Sequence, residues 1–218
     1  MEGDFSELKI AIIGSGNVGK ALAGTAVRAG HSVTITASHP DHAQEAAQAS
    51  GAQAATSNAE AVASAEIVIL ALPAAAASSL VSDLGGALEG KVVVDVTNRA
   101  DPSDPGSTLD GDSLTEQLQV LVPRAKFVKA FNTVFASVMA GPTVEGQPAD
   151  AFLAGDDAEA RATVAELARS MGFRPIDAGG LPMARVLEGM ALLNILLQIT
   201  NGWPWQSSWK LAGPTGGA

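Results

Sequence analysis

The run Leu8-Lys9-Ile10-Ala11-Ile12-Ile13 leads straight into Gly14-Ser15-Gly16-Asn17-Val18-Gly19, and that junction commits the chain to a strand, a tight turn and a helix. Gly14 permits the turn, Gly16 lets backbone N–H groups approach a phosphate with no Cβ in the way, and Gly19 lets the helix pack on the strand. The N-terminus of that helix adds partial positive charge where a dianionic pyrophosphate would sit. Glycine spacing alone is weak evidence. Here an apolar strand precedes it and the helix-forming stretch Lys20 to Ala29 follows, so the loop reads as a dinucleotide cradle, with a purely structural turn as the alternative.

The pattern continues in alternation. His31 to Thr36 is β-branched, and Asp41 to Ser50 reads as a helix. A short strand is expected at Ala52 to Thr56 and a helix from Asn58. Ile67 to Leu72 is a fully apolar strand stopped by Pro73. Ala74 to Leu84 predicts a helix ended by Gly85-Gly86, and Lys91 to Val96 another buried strand. Asp101 to Asp112 reads as a long loop, Ser113 to Leu121 as a helix and Lys126 to Phe131 as a sixth strand. Beyond Gly141-Pro142 come a strand at Ala151 to Ala154, an amphipathic helix from Asp157 to Met171, a strand at Arg174 to Asp177 and a long helix from Pro182 to about Thr200. The fold expected is α/β, a Rossmann-type doubly wound, mostly parallel sheet over residues 1–142. Residues 143–218 are expected to form a small C-terminal lobe whose long apolar helix closes a second-substrate cleft.

Composition narrows the partners. Of 218 residues 47% are hydrophobic, which supports a full core, and a net charge of −10 with no basic stripe argues against nucleic acid. Without cysteine there is no disulfide, thiolate nucleophile or Cys-based zinc site. The short acidic opening Met1 to Glu7 is unlike a signal peptide. Arg185, Glu188, Asn194 and Gln198 interrupt the long helix well short of the roughly 20 apolar residues of a bilayer span. A soluble cytoplasmic protein with no membrane partner is expected, the helix serving as a buried interlobe or homodimer element.

In a doubly wound sheet the ligand lies beyond the carboxyl ends of the strands. Those ends carry Ser15 and Asn17, then Ala37-Ser38-His39, Leu72-Pro73, Thr97-Asn98 and Asn132-Thr133, groups that position a ligand by hydrogen bonds. None is an obvious general acid or base. An acidic residue after the second strand would bond an adenosine ribose and repel a 2′-phosphate, whereas Ser38 and His39 stand there, which favours NADP over NAD. His39 also reads as a plain turn residue before Pro40, and His31 and His42 as residues without chemistry. The aspartates of the 101–112 loop fit no calcium loop, so no metal is expected. Lys126 and Lys129 read as strand-entrance charges, with a catalytic lysine as the other possibility.

Ile12 to Gly19, Lys129-Ala130-Phe131-Asn132-Thr133 and Asp177-Ala178-Gly179-Gly180-Leu181 together resemble the NADPH-dependent reductases of coenzyme F420, a deazaflavin. The oxidoreductase domain of the six-transmembrane metalloreductases is similar in the first two motifs, and pyrroline-5-carboxylate reductases are similar in the N-terminal part. The resemblance implies direct hydride exchange between stacked nicotinamide and deazaflavin, a reaction governed by positioning with no catalytic side chain. It implies a phosphate loop Gly14, Ser15, Gly16, Asn17, Val18, Gly19 and a 2′-phosphate pocket Ala37, Ser38, His39. Leu72, Pro73, Asn98, Asn132, Thr133 and Val134 would surround the nicotinamide, and Ala136, Leu181, Pro182, Trp203 and Trp205 would face the deazaflavin.

Two departures stand out. Ser38 occupies the place of the family's arginine after the second strand, which weakens a phosphate clamp. All three tryptophans crowd into Trp203 to Trp209, where they would stack on a deazaflavin, exclude it, or simply pack on the long helix. Other acceptors, a flavin or a cyclic imine, and a non-catalytic NADP-binding redox sensor are the alternative functions.

Overall fold

A computed structural model describes residues 6–213, so most of the acidic N-terminal opening, residues 1–5, lies outside the described residues. In chain order the strands are β1 (Lys9–Ile13), β2 (Ser32–Thr36), β3 (Gln53–Ala54), β4 (Ile67–Leu70), β5 (Val92–Asp95), β6 (Lys126–Ala130), β7 (Thr143–Val144), β8 (Gln147–Pro148), β9 (Asp150–Ala154) and β10 (Arg174–Asp177). The helices are α1 (Asn17–Arg28), α2 (Pro40–Ser50), α3 (Asn58–Ala63), α4 (Ala74–Leu84), α5 (Pro105–Leu109), α6 (Leu114–Leu121), α7 (Ala136–Met139), α8 (Ala158–Ser170) and α9 (Met183–Asn201). Eight strands form one sheet in the order β10-β9-β6-β5-β4-β1-β2-β3. All its pairs are parallel except β6 with β9. The expected doubly wound, mostly parallel sheet is therefore present, with its switch in strand order between β1 and β4.

The sheet is covered on both faces, which is why its strands read as apolar runs. Alternate residues of β1 go to opposite sides: Ile10 and Ile12 pack under α1, α2 and α8, while Ala11 and Ile13 pack under α3, α4 and α6. Residue 142, where a boundary is expected, lies just before the β7–β8 hairpin. Beyond it the chain returns to the same sheet through β9 and β10, so this part is joined to the first by the strand hydrogen bonds of β9 with β6.

One expectation is corrected, and the structure adds detail to two others. The 101–112 stretch contains α5, which Pro105 opens at its first turn. His31 is a buried tie between layers: Nδ1 accepts from the Leu8 amide, Nε2 bonds Ser170 Oγ, and that hydroxyl donates to the Leu167 carbonyl. Burial holds its pKa below the ordinary histidine value, against the pull of the Glu7 charge. In α9 three polar residues face inward, while Arg185 stays exposed. Glu188, Asn194 and Gln198 are buried while Val186, Leu193 and Ile199 are exposed, so the helix, long and apolar enough to cross a membrane by composition, turns its polar stripe to the protein.

Candidate functional site

The three glycines of the loop stand in two kinds of surroundings. A Cβ on Gly14, whose φ is +118°, would lie 2.0 Å from the Ala71 carbonyl oxygen, and one on Gly19 would lie 1.9 Å from the Gly14 oxygen. Both are closed positions where backbone meets backbone. At Gly16, the N-cap of α1, a Cβ would meet nothing within 4 Å. That open side looks onto a cleft of about 610 Å³ lined by Gly14, Ser15, Gly16, Ala37, Ser38, Leu72 and Pro73. Asn58, Ala71 and Asp83 also line it. Sequence reasoning missed these three; the fixed neighbour among them is Asn58, whose Oδ1 accepts from Thr36 Oγ1 at the end of β2.

His39 caps α2 on the exposed rim, its ring 5.4 Å edge-on from His42. Asn17 opens α1 on a different hollow, shared with Lys20 and Ala136. Val18 is half-buried on the helix.

At the carboxyl ends of β5 and β6 the expected asparagines meet. Asn98 Nδ2 donates to the Asn132 carbonyl at 2.8 Å, and Asn132 Nδ2 donates to Asn98 Oδ1 and to the Leu187 carbonyl, both at 2.9 Å. Thr133 and Val134 follow in buried positions. Phe131, just before them, holds φ at +59° with its ring buried edge-on against Phe173. Left-handed backbone at a bulky residue costs energy and persists only where the surroundings fix it. Thr97 Oγ1, Asn132 Oδ1 and Thr133 Oγ1 are buried with no partner. Three orphaned polar atoms on this floor suit a ligand with both a hydrogen-bond donor and an acceptor, such as a carboxamide. The open side of Gly16 fits a phosphate, and the strand ends of β5 and β6 carry these unpartnered polar atoms.

Beneath the floor lies a cluster that the sequence reading did not assemble. Lys129 is fully buried, not a strand-entrance charge. Its Nζ donates to Asp95 Oδ2 at 3.0 Å, the Thr97 carbonyl at 2.6 Å and Glu188 Oε1 at 3.1 Å. Asp95 also accepts from the Thr97 amide and Thr115 Oγ1, and Glu188 from the Leu114 amide and Arg99 Nε. The available signal was register: Asp95 stands directly opposite Lys129 across β5 and β6. Nearby, Arg185 at the start of α9 grips Glu116 with two nitrogens, at 2.6 and 2.7 Å, and its hydrogen bonds are the main cause that holds the carboxyl down to about 2.

The residues expected to face a deazaflavin do not form one patch. Leu181 is buried and Pro182 exposed at the N-terminal end of α9, while Trp203 and Trp205 follow its C-terminal end. A 19-residue helix is about 28 Å long, more than one tricyclic ring bridges. The tail folds back along α9: the Trp205 amide donates to Gln198 Oε1, Ser207 Oγ to Asn194 Oδ1 and Trp209 Nε1 to the Met190 carbonyl. Trp205 also packs edge-on against Phe135, beside Ala136, with ring centroids 5.3 Å apart.

A doubly wound sheet with a glycine-rich phosphate loop at its switch in strand order defines a Rossmann-type dinucleotide-binding protein. A family model described as NADP oxidoreductase, coenzyme F420-dependent, matches residues 9–99. The F420-dependent NADP reductase of Methanothermobacter marburgensis is 32% identical over 89% of this chain and 94% of its own length. The metalloreductase STEAP3 of Rattus norvegicus is 36% identical over 84% of this chain, which spans only 36% of that protein. A solved structure from Arthrobacter sp. FB24, provisionally named an F420-dependent NADP reductase, superposes with a TM-score of 0.82 at 32% identity, covering 94% of this chain and all of the other. The chain belongs to the F420-dependent NADP reductase family of oxidoreductases.

Proposed function

We propose that this protein binds NADP(H) in the cleft beyond β1, β2 and β4 and passes a hydride directly between the nicotinamide and coenzyme F420, in a cytoplasm that holds both. The observation that carries the reading is the open side of Gly16, whose missing Cβ faces that cleft while its neighbours Gly14 and Gly19 are closed by backbone. The amides of the 14–19 loop bind the pyrophosphate, and Ser38 with His39 meets the 2′-phosphate. Leu72 and Pro73 form an apolar wall, and the Asn98–Asn132 floor orients the ring. NADPH, when bound, supplies the hydride. Orientation is the whole task of the side chains, since a hydride that passes between stacked rings needs no protein nucleophile. Of the residues first assigned to the deazaflavin, Ala136 and Trp205 lie close together beside Phe135 and make the better half of that site.

The test is an anaerobic titration with NADPH and oxidised F420, read as loss of the deazaflavin absorbance, with NADH and FMN in parallel and a cyclic imine as a third acceptor. Fast bleaching with NADPH and slow bleaching with NADH is expected. NADPH binding without turnover of F420 would move the reading to another acceptor or to a redox sensor.

We further propose a homodimer through the outer face of α9, where Val186, Leu193 and Ile199 present apolar surface one to two turns apart. Light scattering is expected to give twice the chain mass; a monomer at micromolar concentration would refute it.

A further inference from the structure

We propose that the buried cluster of Asp95, Lys129, Glu188 and Arg99 is a positioning device for the nicotinamide, holding the Asn98–Asn132 floor in one geometry. The inference rests on the reading that the nicotinamide lies over Asn98 and Asn132.

The cluster is saturated. Lys129 has three N–H groups and three acceptors, one from β5, one from the segment after it and one from α9. Two carboxylates face one ammonium and one guanidinium, so the charges balance, and the Asp95, Lys129 and Glu188 side chains are wholly buried. Buried ion clusters contribute little to stability beyond what an apolar replacement of the same volume would give. What this one does provide is fixed geometry at two points of the floor. Lys129 grips the Thr97 carbonyl, the peptide oxygen that leads into Asn98. Glu188 is gripped by Lys129 and Arg99, and Leu187, one residue before it, offers the carbonyl that orients the Asn132 amide. The same cluster, through Lys129 on β6 and Glu188 on α9, thus bears on both asparagines.

A second observation points to a ligand at these strand ends. Thr97 Oγ1, Asn132 Oδ1 and Thr133 Oγ1 lack partners although their residues are 3–5% exposed, and they stand on the two strand ends that the cluster ties together. Arg99 also reaches the Thr108 carbonyl, and Thr108 Oγ1 donates to the Arg99 carbonyl. The 101–112 segment is thereby held to the same unit.

The experiment uses the full chain with Glu188→Gln and two probes, NADPH and 2′,5′-ADP, the latter filling only the adenosine half. Glu188→Gln is expected to leave 2′,5′-ADP affinity unchanged and to weaken NADPH about tenfold or more, with the emission of the bound reduced nicotinamide moving toward its value in water. A merely structural role would lower the melting temperature and leave the ratio of the two affinities and the emission alone; that result overturns the proposal. Should Glu188→Gln not fold, Arg99→Gln/Glu188→Gln keeps the neutral Asp95–Lys129 pair and is read in the same way. Asn132→Ala tests the underlying reading separately. A change in the affinity ratio supports it, and no change shows that the nicotinamide lies elsewhere, which removes the basis of the proposal.

Discussion

Replacement of Lys129 by methionine is expected to lower the free energy of unfolding by about 3–5 kcal/mol, the cost of leaving a buried ion cluster without one partner. Methionine fills most of the volume, so the loss is electrostatic. Asp95 Oδ2 and Glu188 Oε1 both point at the ammonium, and without it two buried carboxylates share one pocket. The measurement is a urea titration, in which the midpoint falls with the slope unchanged. Lys126, half-buried and paired with Asp157 on the surface, is the control, and its replacement should barely move the midpoint. Equal midpoints for the two variants would show that the cluster is not closed in solution.

The glycine loop gives a prediction with a sharper contrast. Gly16→Ala adds a methyl group that meets no protein atom within 4 Å, so the melting temperature should stay at the wild-type value. NADPH affinity should fall at least about tenfold, or about 1.4 kcal/mol, because the methyl occupies the approach of the pyrophosphate. Gly19→Ala places its Cβ 1.9 Å from the Gly14 oxygen, and backbone must move to admit it. It should therefore lose stability and binding together. Calorimetric titration beside a thermal melt separates the two patterns. Wild-type NADPH affinity in Gly16→Ala would remove the pyrophosphate from this loop.

Much of this was legible from the sequence because it depends on neighbours along the chain. The β1 strand, glycine loop and α1 follow one another, and the apolar strands β4 and β5 were read close to their observed ends. Asn98 and Asn132 were named from the sequence because both lie just past strand ends, and the fold brings them into hydrogen-bond contact. What was not legible depends on pairing between distant segments. Lys129 looks like any charge within an apolar strand until β6 is set beside β5 and Asp95 falls opposite. Glu188 reads as a break in an apolar helix until α9 is laid across the strand ends. The tryptophan tail misled for a related reason. Composition favours aromatics beside a planar ligand, but helix length separates Trp203 and Trp205 from Leu181 and Pro182. Only the fold decides which end of a long helix meets a cleft.

The inward polar stripe of α9 has a consequence for how the chain finds one packed state. A helix apolar on every side buries similar surface at several rotations about its axis, and hydrophobic burial, being non-directional, does not choose among them. Glu188, Asn194 and Gln198 remove that degeneracy. Each has its own address: Glu188 the Lys129 ammonium and the Leu114 amide, Asn194 the Ser207 hydroxyl, Gln198 the Trp205 amide. A turn of one residue, about 100°, would carry Glu188 away from Lys129 and the Leu114 amide, while Asn194 and Gln198 hold the C-terminal tail on the helix. These side chains therefore act as keys that select a single orientation of the helix, and with it a single set of residues left facing outward for a neighbour to meet.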